Sequence, residues 1–252
     1  MTDDDGTLAP AFYGSPQGSG RGPWADWWLL LHPPYTLWHL SYVAIGAGIA
    51  PHFDGGRLAG TLVAFLLAVG VGAHALDELH GRPLHTAIPR RILIGAAAAS
   101  LAIAVGIGIV GTERVGVGLV VFIVVGVALN CSYNLELFGG RFHNDLTFAL
   151  AWGAFPVLTG YYAQAETLRA PVVAAAVAAY FLSTAQRSLS TPARALRRRT
   201  ASVNGILTAD DGHSVPLTRS LLLQPLEAAL KAMAWGMVAL AAALVLYRCL
   251  DA

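Results

Sequence analysis

Seven stretches of the chain are almost wholly apolar: roughly residues 35–50, 58–76, 92–111, 115–133, 146–165, 170–185 and 226–247. A bilayer's hydrocarbon core takes a helix of about 20 apolar residues. The first and sixth stretches are short and borrow flanking residues. Inside hydrocarbon each backbone N–H and C=O must be paired within its own segment, so the stretches are expected to be helices. Thr112, Glu113 and Arg114 alone separate the third from the fourth, which predicts a tight hairpin. The pattern predicts an all-α, polytopic transmembrane bundle of about seven spans over residues 31–252, with a cytoplasmic loop at 186–220. Residues 1–30, acidic at Asp3, Asp4 and Asp5 and lacking a basic start before an apolar core, read as a disordered cytoplasmic tail and not as a signal peptide.

Composition agrees with a bilayer as solvent. The chain is 56% hydrophobic and 12% charged, against about 25% charged in a soluble domain, and its mean hydropathy is +0.58. The two cysteines, Cys131 and Cys249, fall near opposite faces and predict no disulfide framework. No basic patch is interleaved with aromatics, so nucleic acid is not an expected partner.

Arginines fix the expected sidedness. Seven spans place Arg21, Arg82, Arg90, Arg91, Arg141, Arg187, Arg194, Arg197, Arg198, Arg199 and Arg219 on one side, and Arg57, Arg114, Arg169 and Arg248 on the other. The richer side is expected to be cytoplasmic, with the N-terminus there and the protein in the cell membrane.

The unusual polar residues gather on that same side. The second stretch runs into His74, Asp77, Glu78, His80, Arg82 and His85. The fourth runs into Tyr133, Asn134 and Glu136, and His143, Asn144 and Asp145 open the fifth. The sixth runs into Gln186, Arg187 and Arg194. Ionisable groups at membrane depth are costly and mark a site by default. His74, Asp77 and Glu78 are spaced i, i+3, i+4, so they share a helix face. Such a face can hold a divalent cation or position a base, and Mg²⁺ favours one or two carboxylates plus substrate phosphate oxygens. Arg187 and Arg194 are placed to grip a phosphate bidentately, whereas Arg197–Arg199 read as positive-inside anchoring. Glu227 and Lys231, at i and i+4, read as an ion pair. Pro156 is expected to kink the fifth helix, and the glycines of spans two to four to serve packing.

Three passages carry a resemblance to a known family. His32-Pro33-Pro34-Tyr35-Thr36-Leu37, before an Ala/Gly-rich helix, is similar to an R-P-x-T-L start. Asp77-Glu78-Leu79-His80-Gly81-Arg82-Pro83-Leu84 looks like the end of an N-x-x-x-D-x-x-x-D motif running into R-P-L. Tyr133 through Gly153, Pro156 and Gly160-Tyr161-Tyr162 looks like a Y-S-x-P stretch followed by a G-x-x-P-V-x-x-G-Y-Y helix. Over roughly residues 30–190 the chain thus resembles the UbiA family of intramembrane prenyltransferases. The resemblance implies a bundle whose central cavity opens to the cytoplasmic leaflet, where Mg²⁺ and a prenyl diphosphate bind and an acceptor attacks the allylic cation. By position, Asp77 and Glu78 would be the metal-side acids, Arg82 a phosphate contact and Tyr133 a cavity residue. The chain departs from the pattern at His74, where the motif has Asn, and between Thr184 and Thr200, where no acid stands. It also has two spans fewer than the family's usual nine.

These readings predict a divergent UbiA-like transferase acting on an isoprenoid diphosphate or related lipid at the cytoplasmic face. Asp77, Glu78, Asp145 and Tyr133 are its expected catalytic groups, with Asp77 and Glu78 as Mg²⁺ ligands. His74, Arg82, Asn134, Glu136, His143, Asn144, Gln186, Arg187 and Arg194 are its expected substrate contacts. Two alternatives stand beside it: a non-catalytic lipid-binding subunit with a membrane-protein partner, and a His-ligated metalloenzyme built on His74, His80, His85 and His143.

Overall fold

A computed structural model describes residues 22–250, so the acidic start and Arg21 lie outside the described residues. Helices dominate. In chain order they are α1 (Pro23–Leu31), α2 (Pro33–Gly48), α3 (Gly55–Leu79), α4 (Arg90–Val115), α5 (Leu119–Asn134), α6 (145–165), α7 (Ala170–Arg198) and α8 (Arg219–Leu250). Between α7 and α8 a small antiparallel hairpin pairs β1 (Ile206–Thr208) with β2 (Ser214–Pro216). Four helices, α3, α4, α7 and α8, are long and apolar enough to cross a membrane, while α5 is apolar but shorter.

The exterior is apolar and the interior partly polar. Ile103, Ile109, Val121, Val124, Phe181 and Leu240 are all exposed, whereas Asn130, Ser183, Gln186 and Glu78 are buried. Exposed apolar surface on this scale marks a face that meets lipid or a partner rather than water. Polar side chains within such a bundle find partners on neighbouring helices: Tyr42 donates to the Ala179 carbonyl at 3.2 Å and Ser183 donates to Tyr42 Oη at 3.1 Å.

Every apolar stretch is helical, but two boundaries and one ion pair differ from expectation. Residues 23–31 of the expected tail and its boundary are helix instead, because Pro23–Leu31 forms α1, with proline in its first turn. Leu29 and Leu30 face the core, Trp24 and Trp28 face out, and Asp26 Oδ2 accepts the Ala87 N–H at 2.8 Å. The sixth stretch does not end at 185, since α7 continues through Arg198 with Pro192 inside it. Residues 186–198 of the expected 186–220 loop are therefore helix. Glu227 does not pair with Lys231; Arg197 grips both its carboxylate oxygens, with Arg197 Nη2 at 2.7 Å from Oε2.

Backbone contact between α2 and α6 organises the centre. A Cβ on Gly46 would lie 2.1 Å from the Val157 carbonyl oxygen, and one on Gly160 would lie 2.2 Å from that of Val43. Small residues at such crossings let helices approach closely enough for dispersion to hold them in lipid, where no hydrophobic force drives them together. Two of the helices that line the central cavity also contain a wide π-type segment: Leu66–Ala73 in α3 and Leu150–Ala154 in α6. Such turns commonly occur at functional sites. In α6 the segment precedes Pro156, whose ring cannot share space with a carbonyl four residues back. In α3, Asn130 Nδ2 donates to the Ala68 carbonyl at 2.8 Å.

Candidate functional site

The polar ends of α3, α5 and α7 meet the start of α2 around a chamber of about 480 Å³. Small-molecule sites span roughly 300–1,000 Å³. One wall is cationic, with Arg187, Arg194, Arg198 and Arg199 along α7 and its C-terminal cap. Asp77 and Glu136 face the chamber from other elements, and His32, His39, His74, His80 and His143 line it as well.

Local structure explains the placement of each group. His39 Nδ1 donates to the Trp152 carbonyl at 2.8 Å, His74 Nδ1 to that of Gly70 at 3.0 Å, and His143 Nδ1 to that of Tyr133 at 3.1 Å. A carbonyl oxygen has no hydrogen, so in each ring Nδ1 carries it. The His143 ring stacks on Tyr133 at 4.4 Å between centroids, and the His32 ring lies 5.1 Å from that of His74. Glu136 sits between His80 Nε2 at 3.8 Å and His143 Nδ1 at 3.9 Å. Its φ of +48° falls in the left-handed region, which a non-glycine residue rarely adopts. Arg187 Nε donates to Asp145 Oδ1 at 2.7 Å while its guanidinium lies 5.0 Å from the Phe148 ring centre. Among the described residues, Tyr133 Oη and Gln186 Oε1 are buried with no hydrogen-bond partner. Buried polar atoms are nearly always paired, so two orphans lining one cavity mark positions that a bound molecule can satisfy.

Several expected site residues serve the scaffold instead. Glu78 is fully buried and does not line the chamber. One of its oxygens accepts the Leu84 N–H, and the other accepts the N–H and hydroxyl of Thr86, all at 2.9 Å. Helix spacing put it beside His74 and Asp77, but the chain turns at His80 and brings the 84–86 backbone over the carboxylate. Arg82 Nη1 donates to the Thr86 and Ile88 carbonyls at 2.9 and 2.8 Å, which makes it a strut within the same loop. Asn144 caps α6 through the Thr147 N–H at 2.8 Å. Asp145 reaches the site only through Arg187, and His85 does not line the chamber. Asn134 does line it, but its amide is held by the Asn130 carbonyl at 2.8 Å. In contrast, Arg198 and Arg199 line the chamber, although their run reads as membrane anchoring. His32, His39 and Trp152 were not anticipated. The i, i+4 pair Tyr35 and His39 on α2 is the signal the sequence offers for them.

Glu78→Ala would leave the Leu84 and Thr86 amides without their acceptor. Each orphaned buried group costs about 1–3 kcal/mol. Thermal unfolding of the purified protein should show a clear loss of stability, whereas any shift in melting temperature caused by added Mg²⁺ should be the same for variant and native protein. A metal-ligating Glu78 would give the reverse ranking.

Beside the chamber lies a smaller slot of about 120 Å³ between α3, α4, α5 and α6, lined almost wholly by apolar side chains such as Phe65, Val105, Phe122 and Phe155. Val69 and Trp152 line both cavities. Among the described residues, no three His, Cys, Asp or Glu side chains converge closely enough to hold a metal ion. Comparison with family models, curated proteins and solved structures finds no match to the chain.

Proposed function

We propose that the chain is a divergent UbiA-like membrane transferase that binds an isoprenoid phosphate or diphosphate, head in the polar chamber and tail in the apolar slot. On this reading it spans the cell membrane seven times, with its N-terminus and the chamber on the cytoplasmic side. The observation that carries the proposal is the shared wall: Val69 and Trp152 border both an arginine-lined polar cavity and an apolar one. An amphipathic anion needs those two environments side by side.

The Mg²⁺ cluster implied by the resemblance does not fit these side chains. Glu78 is committed to its loop, α7 contributes arginines in place of acids, and Asp77 and Glu136 are the chamber's carboxylates. Charge neutralisation therefore falls to the α7 guanidiniums, which match phosphate oxygens in a fixed fork. As the C1–O bond of the isoprenoid breaks, the electron pair leaves with the phosphate group, and the arginines stabilise that developing charge. An acceptor atom forms the new bond to C1, and Asp77 takes its proton.

The test uses purified protein in nanodiscs with EDTA present. Geranylgeranyl diphosphate should raise the melting temperature without added metal. Asp77→Asn should keep that stabilisation and lose product formation by about a hundredfold or more, in line with the usual worth of a general base. Absence of any stabilisation would remove the reading. Stabilisation with no turnover in the native chain would favour the lipid-binding subunit, the alternative that the sparse carboxylate complement supports.

A further inference from the structure

We infer that the connection between α5 and α6 is a membrane wedge: Leu137, Phe138 and Phe142 seat at the boundary between the headgroups and acyl chains of the adjoining leaflet. The inference needs the bundle to lie in a bilayer and does not depend on what the chamber binds.

The length of α5 sets the depth of this connection. Its 16 residues rise about 24 Å at 1.5 Å each, short of the roughly 30 Å of hydrocarbon. The turn at 116–118 that opens α5 follows Glu113 and Arg114, both exposed at the end of α4, so α5 starts at or just inside one boundary. Its other end, at Asn134, reaches no farther than the opposite boundary. The chain therefore leaves the helix where lipid, not bulk water, is its neighbour.

The backbone there is shaped to present apolar side chains. Glu136, Phe138, Gly139 and Gly140 all have positive φ, at +48°, +59°, +69° and +74°. Glycine takes such angles freely. For phenylalanine they are strained, and strain persists only where other contacts outweigh it. Phe138 is 75% exposed, and the ring it meets edge-on, that of Phe142, is exposed as well. Contacts within the protein thus bury little of either ring, and the interfacial layer of a bilayer supplies the missing burial.

The wedge is pre-formed and continuous with other apolar surface. Leu137 N–H donates to the Ser132 carbonyl at 3.2 Å, Gly140 N–H to that of Glu136 at 2.9 Å and His143 N–H to that of Gly140 at 2.9 Å. Arg141, exposed beside Phe142, places a cation at headgroup level, where lipid phosphates lie. Leu146 and Leu150, four apart in α6, are exposed next in the chain. Asp26 ties α1 to Ala87, and His80 meets Glu136, so α1 and the wedge share one end of the bundle. There Trp24 and Trp28 are exposed too, and tryptophans gather at the membrane–water interface.

The experiment uses the full chain in nanodiscs, in a Cys131→Ser, Cys249→Ser background. One sample carries an environment-sensitive fluorophore on Phe138→Cys, and another carries it on Asp211→Cys, in the exposed turn between β1 and β2. The label at 138 should emit at shorter wavelength, be quenched by lipids spin-labelled near the headgroup end of their acyl chains, and resist aqueous iodide severalfold better than the label at 211. Equal iodide quenching at the two positions overturns the inference. So does protection from iodide without quenching by lipid, which would mean that a protein covers the loop. Phe142→Cys should respond as Phe138→Cys does, and it decides the matter where the first variant fails to fold.

Discussion

Replacing Arg194 with alanine is expected to weaken geranylgeranyl diphosphate binding by about a hundredfold, a larger loss than from Arg187 or Arg198. A hydrogen bond to a charged group contributes roughly 1.5–3 kcal/mol, and about 1.4 kcal/mol corresponds to each tenfold in affinity. The arginines differ in how far they are already committed. Arg187 is bound to Asp145, and Arg198 Nη1 donates to the Pro83 carbonyl at 3.1 Å. Arg194 makes no hydrogen bond or ion pair among the described residues, yet it lies within electrostatic reach of Asp77, Tyr133 and His32. Its whole donor fork is therefore open to a ligand. Arg194→Lys should recover part of the affinity, because an ammonium keeps the charge but loses the planar fork. Equal affinities for native protein and Arg194→Ala in a calorimetric titration would place the phosphate elsewhere.

The second large effect concerns the scaffold. Gly46→Val or Gly160→Val should destabilise the bundle by about 3 kcal/mol or more, at the top of the range for inserting atoms into a packed core. At both positions the obstruction is a backbone carbonyl of the facing helix, which no rotamer change can move. The readout is the yield and melting temperature of protein extracted in mild detergent. Gly60→Val is the matched control, since a Cβ there meets nothing within 4 Å. Similar melting of the three variants would show that α2 and α6 do not depend on this close approach.

Much of the architecture was legible because hydrocarbon imposes a simple rule. Residues such as Ile92 to Gly111 have one way to satisfy their backbones in lipid, and α4 takes it. The gathering of polar residues at one end of the second, fourth and sixth stretches was legible for the same reason: Asp77, Asn134 and Gln186 interrupt long apolar runs where lipid would penalise them. The partners of individual side chains were not legible. Glu78 is spent on amides six and eight residues onward, and Glu227 on an arginine 30 residues earlier. Both choices depend on how loops fold back, which helix periodicity does not encode. His39 enters the chamber because its ring bonds a carbonyl 113 residues away, a contact that only the packing of α2 on α6 creates.

The wide turns in α3 and α6 carry a consequence for how this wall can evolve. A π turn holds one residue more than the α turn it replaces, and each residue of an α-helix advances the direction of side chains by about 100°. Val69, Ala73, Ala151 and Trp152 all lie in the widened stretches, while His74 and Asp77 follow directly after the first. Tightening that stretch to regular helix with every residue kept would swing His74 and Asp77 about a quarter-turn away, with the composition of the wall intact. The chamber's chemistry is thus tied to the stretch upstream of it staying wide, and a change that lets it close to regular helix with its residue count unaltered should be far more damaging there than any conservative exchange of the side chains themselves.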